Sequence, residues 1–189
     1  MLLKGRKALV FGGTSGIGLA TCQSLLARGV QVVAISRNPR EGLPADLQTA
    51  QCDVRDREQM AALFAEQAPF DILVSAATGG DRAVGPFLQM DLDGFQGSFD
   101  KLWGYANVVR LGAEHLTADG TIVLVSGAPA RKCKPGQVID TFAAPLFIHL
   151  TPCCRFRSHV LVALSKTSCE QWHPNLPRPV VESMQFRQA

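Results

Sequence analysis

Long apolar runs are missing from this 189-residue chain. No stretch approaches the roughly 18 residues that suggest a membrane span. Lys4, Arg6 and Lys7 interrupt the first apolar segment, so the start does not read as a secretory signal. A surplus of one charge is missing too. The 19 basic and 16 acidic residues leave a net charge of +3, which argues against a dedicated nucleic-acid binder. Aromatic residues make up 7% of the chain, with a single tyrosine, Tyr105. The six cysteines contain no Cys-x-x-Cys pair. His149, Cys153, Cys154, His159, Cys169 and His173 therefore lack zinc-site spacing, and free thiols are the ordinary reading. What remains is 47% hydrophobic residues, enough at this length to bury a core without disulfide or metal. The expectation is a globular cytoplasmic protein with no nucleic-acid, membrane or metal partner.

Composition shifts along the chain. Residues 1–126 carry 11 Lys/Arg and 13 Asp/Glu, whereas residues 127–189 carry 8 and 3. The second part holds two of the 17 glycines but seven of the 11 prolines. The first part alternates strand and helix signals, the pattern of a parallel α/β sheet. Strands are predicted at Lys7–Phe11, Gln31–Ile35, Thr49–Cys52, Phe70–Ser75 and Gly120–Ser126. Helices are predicted at Ile17–Arg28, Arg57–Gln67 and, as one long helix, from near Phe95 to Leu116. Successive right-handed crossovers give the strand order 3-2-1-4-5. No sixth strand is expected after Gly136, and His159 to Cys169 reads as a short helix.

The most specific feature is Gly12-Gly13-Thr14-Ser15-Gly16-Ile17-Gly18, set between a strand and a helix. Glycines there let the backbone turn sharply and approach a pyrophosphate, whose charge the helix N-terminus favours. This spacing resembles the fingerprint of the short-chain dehydrogenase/reductase family, Thr-Gly-x-x-x-Gly-Ile-Gly, with Gly12 standing where that family has Thr. The likeness runs on through Asp53-Val54, which in the family lies against the adenine. It continues through Leu73-Val74-Ser75-Ala76-Ala77 and reaches Ser126-Gly127, where the family places its catalytic serine. It covers about residues 4–136. The resemblance implies a Rossmann-type, doubly wound, three-layer αβα domain over 1–136. Its second half would be incomplete, followed by a divergent, poorly ordered segment over 137–189.

The resemblance also implies hydride transfer between a nicotinamide cofactor and a small carbonyl or alcohol. At the end of the second strand a carboxylate would hold the ribose 2′-OH of NAD. Ser36-Arg37-Asn38 stands there instead, and a guanidinium suits the 2′-phosphate of NADP. NADP is favoured over NAD, although Arg40 nearby leaves room for Arg37 as an ordinary solvated residue. The family's Tyr-x-x-x-Lys acid–base pair is absent, and Val162 holds the tyrosine position of the nearest remnant, Val162–Lys166. Lys101-Leu102-Trp103-Gly104 and Ser126-Gly127-x-x-x-Arg131-Lys132 resemble stretches in members without that tyrosine. Ser126 would then orient a carbonyl while Lys101 or Lys132 supplies positive charge, unless both lysines are plain surface charges. The alternative to an enzyme is a catalytically impaired nucleotide-binding or interaction protein. The long helix near residues 95–116 offers a face for a homo-oligomer.

Overall fold

Val, Leu and Phe crowd Lys7–Phe11, and such a run suits a strand covered on both faces. In the computed structural model, which describes residues 3–38, 40–77, 87–89, 91–97, 99–126 and 159–164, it forms β1, inside the sheet. Ala8, Leu9, Val10 and Phe11 are fully buried. Helix α1 (Gly16–Leu26) follows and closes where the Gly29 N–H donates to the Leu26 carbonyl at 2.8 Å. Next come β2 (Gln31–Ser36), β3 (Gln48–Gln51), helix α2 (Arg57–Gln67) and β4 (Phe70–Ser75). Asp56 caps α2 by accepting from the Glu58 and Gln59 N–H groups. Helices α3 (Leu92–Gly97) and α4 (Asp100–Gly112) lead to β5 (Leu116–Ser126), and β6 spans His159–Leu164.

The six strands run parallel in the order β3-β2-β1-β4-β5-β6. The expected 3-2-1-4-5 core is there, with three corrections. The helix expected from Phe95 to Leu116 is divided between α3 and α4, and Ala113–His115 forms a tighter turn before β5. Gly94 and Gly97 weaken the first piece as a helix. β5 starts at Leu116, because Leu116 pairs with Phe70 before the register shifts toward Ile72. The helix expected over His159–Cys169 is a strand over His159–Leu164, with His159 opposite Thr121 and Leu164 opposite Ser126. A sixth strand therefore exists. Short apolar runs carry no periodicity that separates strand from buried helix, and this one is short with β-branched residues. A strand from the region 137–189 thus joins the same sheet as β1–β5. The order expected of the rest of that region, and Cys133, Cys153, Cys154 and Cys169, lie outside the described residues.

Each face of the sheet packs its own core. Leu19, Cys22 and Leu25 of α1 meet Ala8, Val10, Val32, Ala34 and Val74 on one side. Met60 and Phe64 of α2, with Tyr105 and Val108 of α4, meet Leu9, Phe11, Ile35, Leu73 and Ile122 on the other. Three layers result. Phe64 is fully buried, and its ring centroid lies 5.7 Å from those of both Phe11 and Phe70. Such tilted aromatic contacts add to plain burial. Gly112 admits the Phe64 ring and Leu73, since a Cβ there would lie 2.5 Å from Leu73 Cδ2 and 3.0 Å from Phe64 Cζ. Phe64→Ala removes the ring on which these contacts converge and is expected to cost about 3–5 kcal/mol. Urea unfolding followed by circular dichroism measures it, and a loss below about 1 kcal/mol would show that the cavity refills.

Candidate nucleotide-binding site

Parallel strands deliver all their C-terminal ends to one edge, and in such sheets ligands sit beyond that edge. There a cleft of about 460 Å³ opens. The β1–α1 turn contributes Gly12, Thr14, Ser15, Gly16, Ile17 and Gly18. From the end of β2 come Ser36, Arg37, Asn38 and Arg40, from β3 Cys52 and Val54, and from β4 Ala76 and Ala77. Most of the residues expected to hold a dinucleotide thus line one space.

The turn is built from backbone contacts that side chains would prevent. A Cβ on Gly12 (φ +76) would lie 2.8 Å from the Ala77 nitrogen, and one on Gly18 would fall on the Gly12 carbonyl. Only glycine allows both. Ser15 stands at the N-cap of α1 without using its side chain as a cap, and the first turn of α1 carries no acidic residue. The free N–H groups and helix dipole therefore face the cleft without a competing carboxylate. This cradle fits a pyrophosphate.

The β2 end is positive. No Asp or Glu lines the cleft among the described residues, whereas Arg37 and Arg40 do. The Ser36 hydroxyl donates to the Asn38 carbonyl at 2.6 Å, and Gln51 Nε2 donates to the Arg37 carbonyl at 2.9 Å. These bonds shape the loop and leave the Ser36 hydrogen committed.

Asp53 adjoins the cleft without lining it. Arg55 donates to its two oxygens, through Nε at 3.1 and 3.2 Å and through Nη2 at 2.8 Å. The same guanidinium reaches Asp100 Oδ2 on α4 at 3.4 Å. Arg55 above all, and Arg37 more distantly, hold the Asp53 carboxyl below the usual carboxylate range. Cys52, also in the wall, has its thiol pushed up to about 11 by burial and then by Asp56 and Asp53, so it is no nucleophile at neutral pH.

The expected catalytic residues are placed less completely. Ser126 ends β5, opposite Leu164. Lys132 lies outside the described residues. Lys101 Nζ lies over the Tyr105 ring, 5.6 Å from its centroid. The Tyr105 hydroxyl donates to the Val125 carbonyl, and burial raises its pKa. Ser75 is 1% exposed, with its hydroxyl unpaired among the described residues. Sequence reasoning missed the Arg55 bridge and the bond from Asn107 Nδ2 to the Val54 carbonyl at 2.9 Å. Both cross between segments far apart in the chain. No helix among the described residues is long and apolar enough to cross a membrane.

A glycine-lined turn at the C-terminal edge of a parallel sheet defines an α/β dinucleotide-binding fold. The family described as short chain dehydrogenase matches residues 6–139. Human L-xylulose reductase is 32% identical over 172 residues, covering 80% of this chain and 68% of that protein. A solved short chain dehydrogenase/reductase family protein is 31% identical at a TM-score of 0.71, covering 80% of this chain and 67% of that one. A short-chain type dehydrogenase/reductase from Mycobacterium ulcerans, 23% identical, shares the fold at a TM-score of 0.72, covering 79% of this chain and 61% of its own. The chain belongs to the short-chain dehydrogenase family, whose members bind NAD(P). It spans about two thirds of the length of these relatives.

The Asp53–Arg55 pair has a definite pH signature. A carboxyl whose folded pKa is depressed contributes stability above its unfolded value, near ~3.9, and loses it as pH falls through the folded value. Asp53→Asn is therefore expected to lower the melting temperature at neutral pH, only modestly because the pair is partly exposed, and to converge with the native protein below about pH 4, so that its acid limb is flatter. Melting curves from pH 2 to 7 measure it, and parallel acid limbs for both proteins would refute the assignment.

Proposed function

We propose that the chain is an NADP-dependent oxidoreductase of the short-chain type, acting on a small carbonyl or alcohol in the cytoplasm. The observation that carries this reading is the cleft itself: a backbone cradle suited to pyrophosphate, with Arg37 and Arg40 and, among the described residues, no carboxylate at the β2 end. Bound there, the nicotinamide supplies or accepts the hydride. Arg37, with Arg40 beside it, takes the 2′-phosphate in paired hydrogen bonds. Val54, with Asp53 adjoining it, would meet the adenosine, and Ala76 and Ala77 close the β4 end of the cleft. Ser126 orients the substrate oxygen, and Lys101 or Lys132 stabilises the charge that develops on it. The likeness to human L-xylulose reductase supports a small hydroxylated ketone as substrate. A homo-oligomer would form through α4, on which Trp103 is 61% exposed.

A second reading is a nucleotide-binding protein without turnover. It is favoured by Tyr105, the one tyrosine, whose hydroxyl is engaged with Val125 and whose pKa burial raises. Titration with NADPH, then turnover on a panel of ketones and aldehydes, separates the two. Tight binding with no turnover on any substrate selects the second.

Cofactor choice is tested at Arg37. A hydrogen bond to a charged group contributes about 1.5–3 kcal/mol. Arg37→Asp is expected to weaken NADPH by about ten- to a hundredfold and to leave NADH nearly unchanged. Gly16→Val is expected to weaken both equally, because its side chain would enter open space in the cleft from a φ of +50°. Calorimetric titration reads both variants. Equal loss of both cofactors in Arg37→Asp would remove the support for NADP.

A further inference from the structure

Val54 is held from two sides. Its side chain lines the cleft and is 4% exposed. Behind it stands α4, where Gly104 leaves the room that Val54 occupies: a Cβ on Gly104 would lie 2.9 Å from Val54 Cγ2. One turn further along α4, Asn107 Nδ2 donates to the Val54 carbonyl at 2.9 Å. The Arg55 guanidinium joins the same turn to Asp100 at the start of α4. Three contacts of different chemistry thus fasten α4 to the β3–α2 turn, and two of them end on Val54.

The strand order says what Val54 faces. On the dinucleotide reading the β1–α1 turn would hold the pyrophosphate and Arg37 at the end of β2 the adjoining ribose, and the wall at the end of β3, next in line, would meet the base, as the family resemblance implies for Asp53-Val54. We propose that Asn107 is a positioning residue for dinucleotide binding: it fixes the Val54 carbonyl, and so the wall on which the adenine packs. This rests on the dinucleotide reading given above. Asn107 touches no ligand itself. Together with the Gly104 packing and the Arg55 bridge it holds a short turn in place before ligand arrives, and such pre-ordering lowers the cost of binding.

The test is Asn107→Leu, similar in size and lacking the donor, in the full-length chain. Adenosine 2′,5′-diphosphate, NADPH and nicotinamide mononucleotide are titrated by calorimetry, with melting temperature and ¹H–¹⁵N spectra recorded alongside. Expected are about tenfold weaker binding of the first two ligands, unchanged binding of the mononucleotide, and a displaced Arg55 amide signal, since that amide shares its peptide group with the Val54 carbonyl. Unchanged affinity for adenosine 2′,5′-diphosphate overturns the proposal, and so does equal weakening of all three ligands, which marks a merely structural role. Should Asn107→Leu fail to fold, Asn107→Ala, which removes the donor without adding an apolar side chain, is read by the same criteria. A native chain that binds neither NADPH nor NADH overturns the dinucleotide reading, and this proposal with it. Native binding with an unaltered variant overturns this proposal alone.

Discussion

The cleft depends on one close approach, that of the Gly12 backbone to the peptide joining Ala76 and Ala77. A single methyl at Gly12 would come within 2.8 Å of the Ala77 nitrogen and 2.9 Å of the Ala76 carbonyl carbon. Backbone cannot yield to a methyl as a flexible side chain can. The Ala76 N–H in turn donates to the Phe11 carbonyl at 2.8 Å, continuing the β1–β4 ladder to the edge of the cleft. This contact fixes how the chain leaves β1, hence where α1 begins and which way its free N–H groups point. Thr14, 6% exposed, and the buried Cys22, whose thiol lies 3.5 Å from the Gly13 carbonyl, pack the inside of the same turn. The phosphate cradle is thus a consequence of sheet packing and needs no charged side chain of its own.

Electrostatics then divide the cleft. Asp53, beside the cleft, spends its charge on Arg55, in a fork geometry that pairs two nitrogens with two oxygens. Its negative field is largely cancelled within the turn. The guanidinium of Arg37 helps to lower the Asp53 pKa, so the two attract, yet among the described residues no carboxylate lines the cleft to repel a phosphate. That arrangement agrees with a second anion beside the ribose. It also makes Arg55 structural: by reaching Asp100 it ties the β3–α2 turn to α4.

How far this could be read in advance follows from the range of each interaction. The β1–α1 turn was legible because glycine spacing, strand and helix are adjacent in sequence. Strands β1, β2 and β4 were legible because burial on both faces leaves continuous apolar runs. α2 has the bounds expected, Arg57–Gln67, and the structure adds its cap, Asp56, whose carboxylate accepts from the N–H groups two and three residues on. The break between α3 and α4 was not legible, since helical spacing alone says nothing of where tertiary contacts stop a helix. Leu116 reads as a helix end and becomes strand because Phe70 pairs with it. β6 was missed because Val160 to Leu164 offers no period that distinguishes strand from buried helix. The bond from Asn107 to Val54 joins residues 53 positions apart, and no local pattern encodes it.

The same long-range packing limits which chemistry the chain can perform. Tyr105 sits in the core beside Val108, with its hydroxyl given to the Val125 carbonyl. Burial disfavours its phenolate, and the Lys101 ammonium lies over the ring face, at a distance suited to cation–π attraction. To act as a proton donor, Tyr105 would have to release Val125 and open the cluster that holds α4 on the sheet. Val125 immediately precedes Ser126, so that opening would also loosen the residue expected to orient substrate. A proton drawn from Tyr105 is thus at odds with the packing that holds α4 on the sheet, whereas an ammonium acts through its charge and keeps its proton throughout.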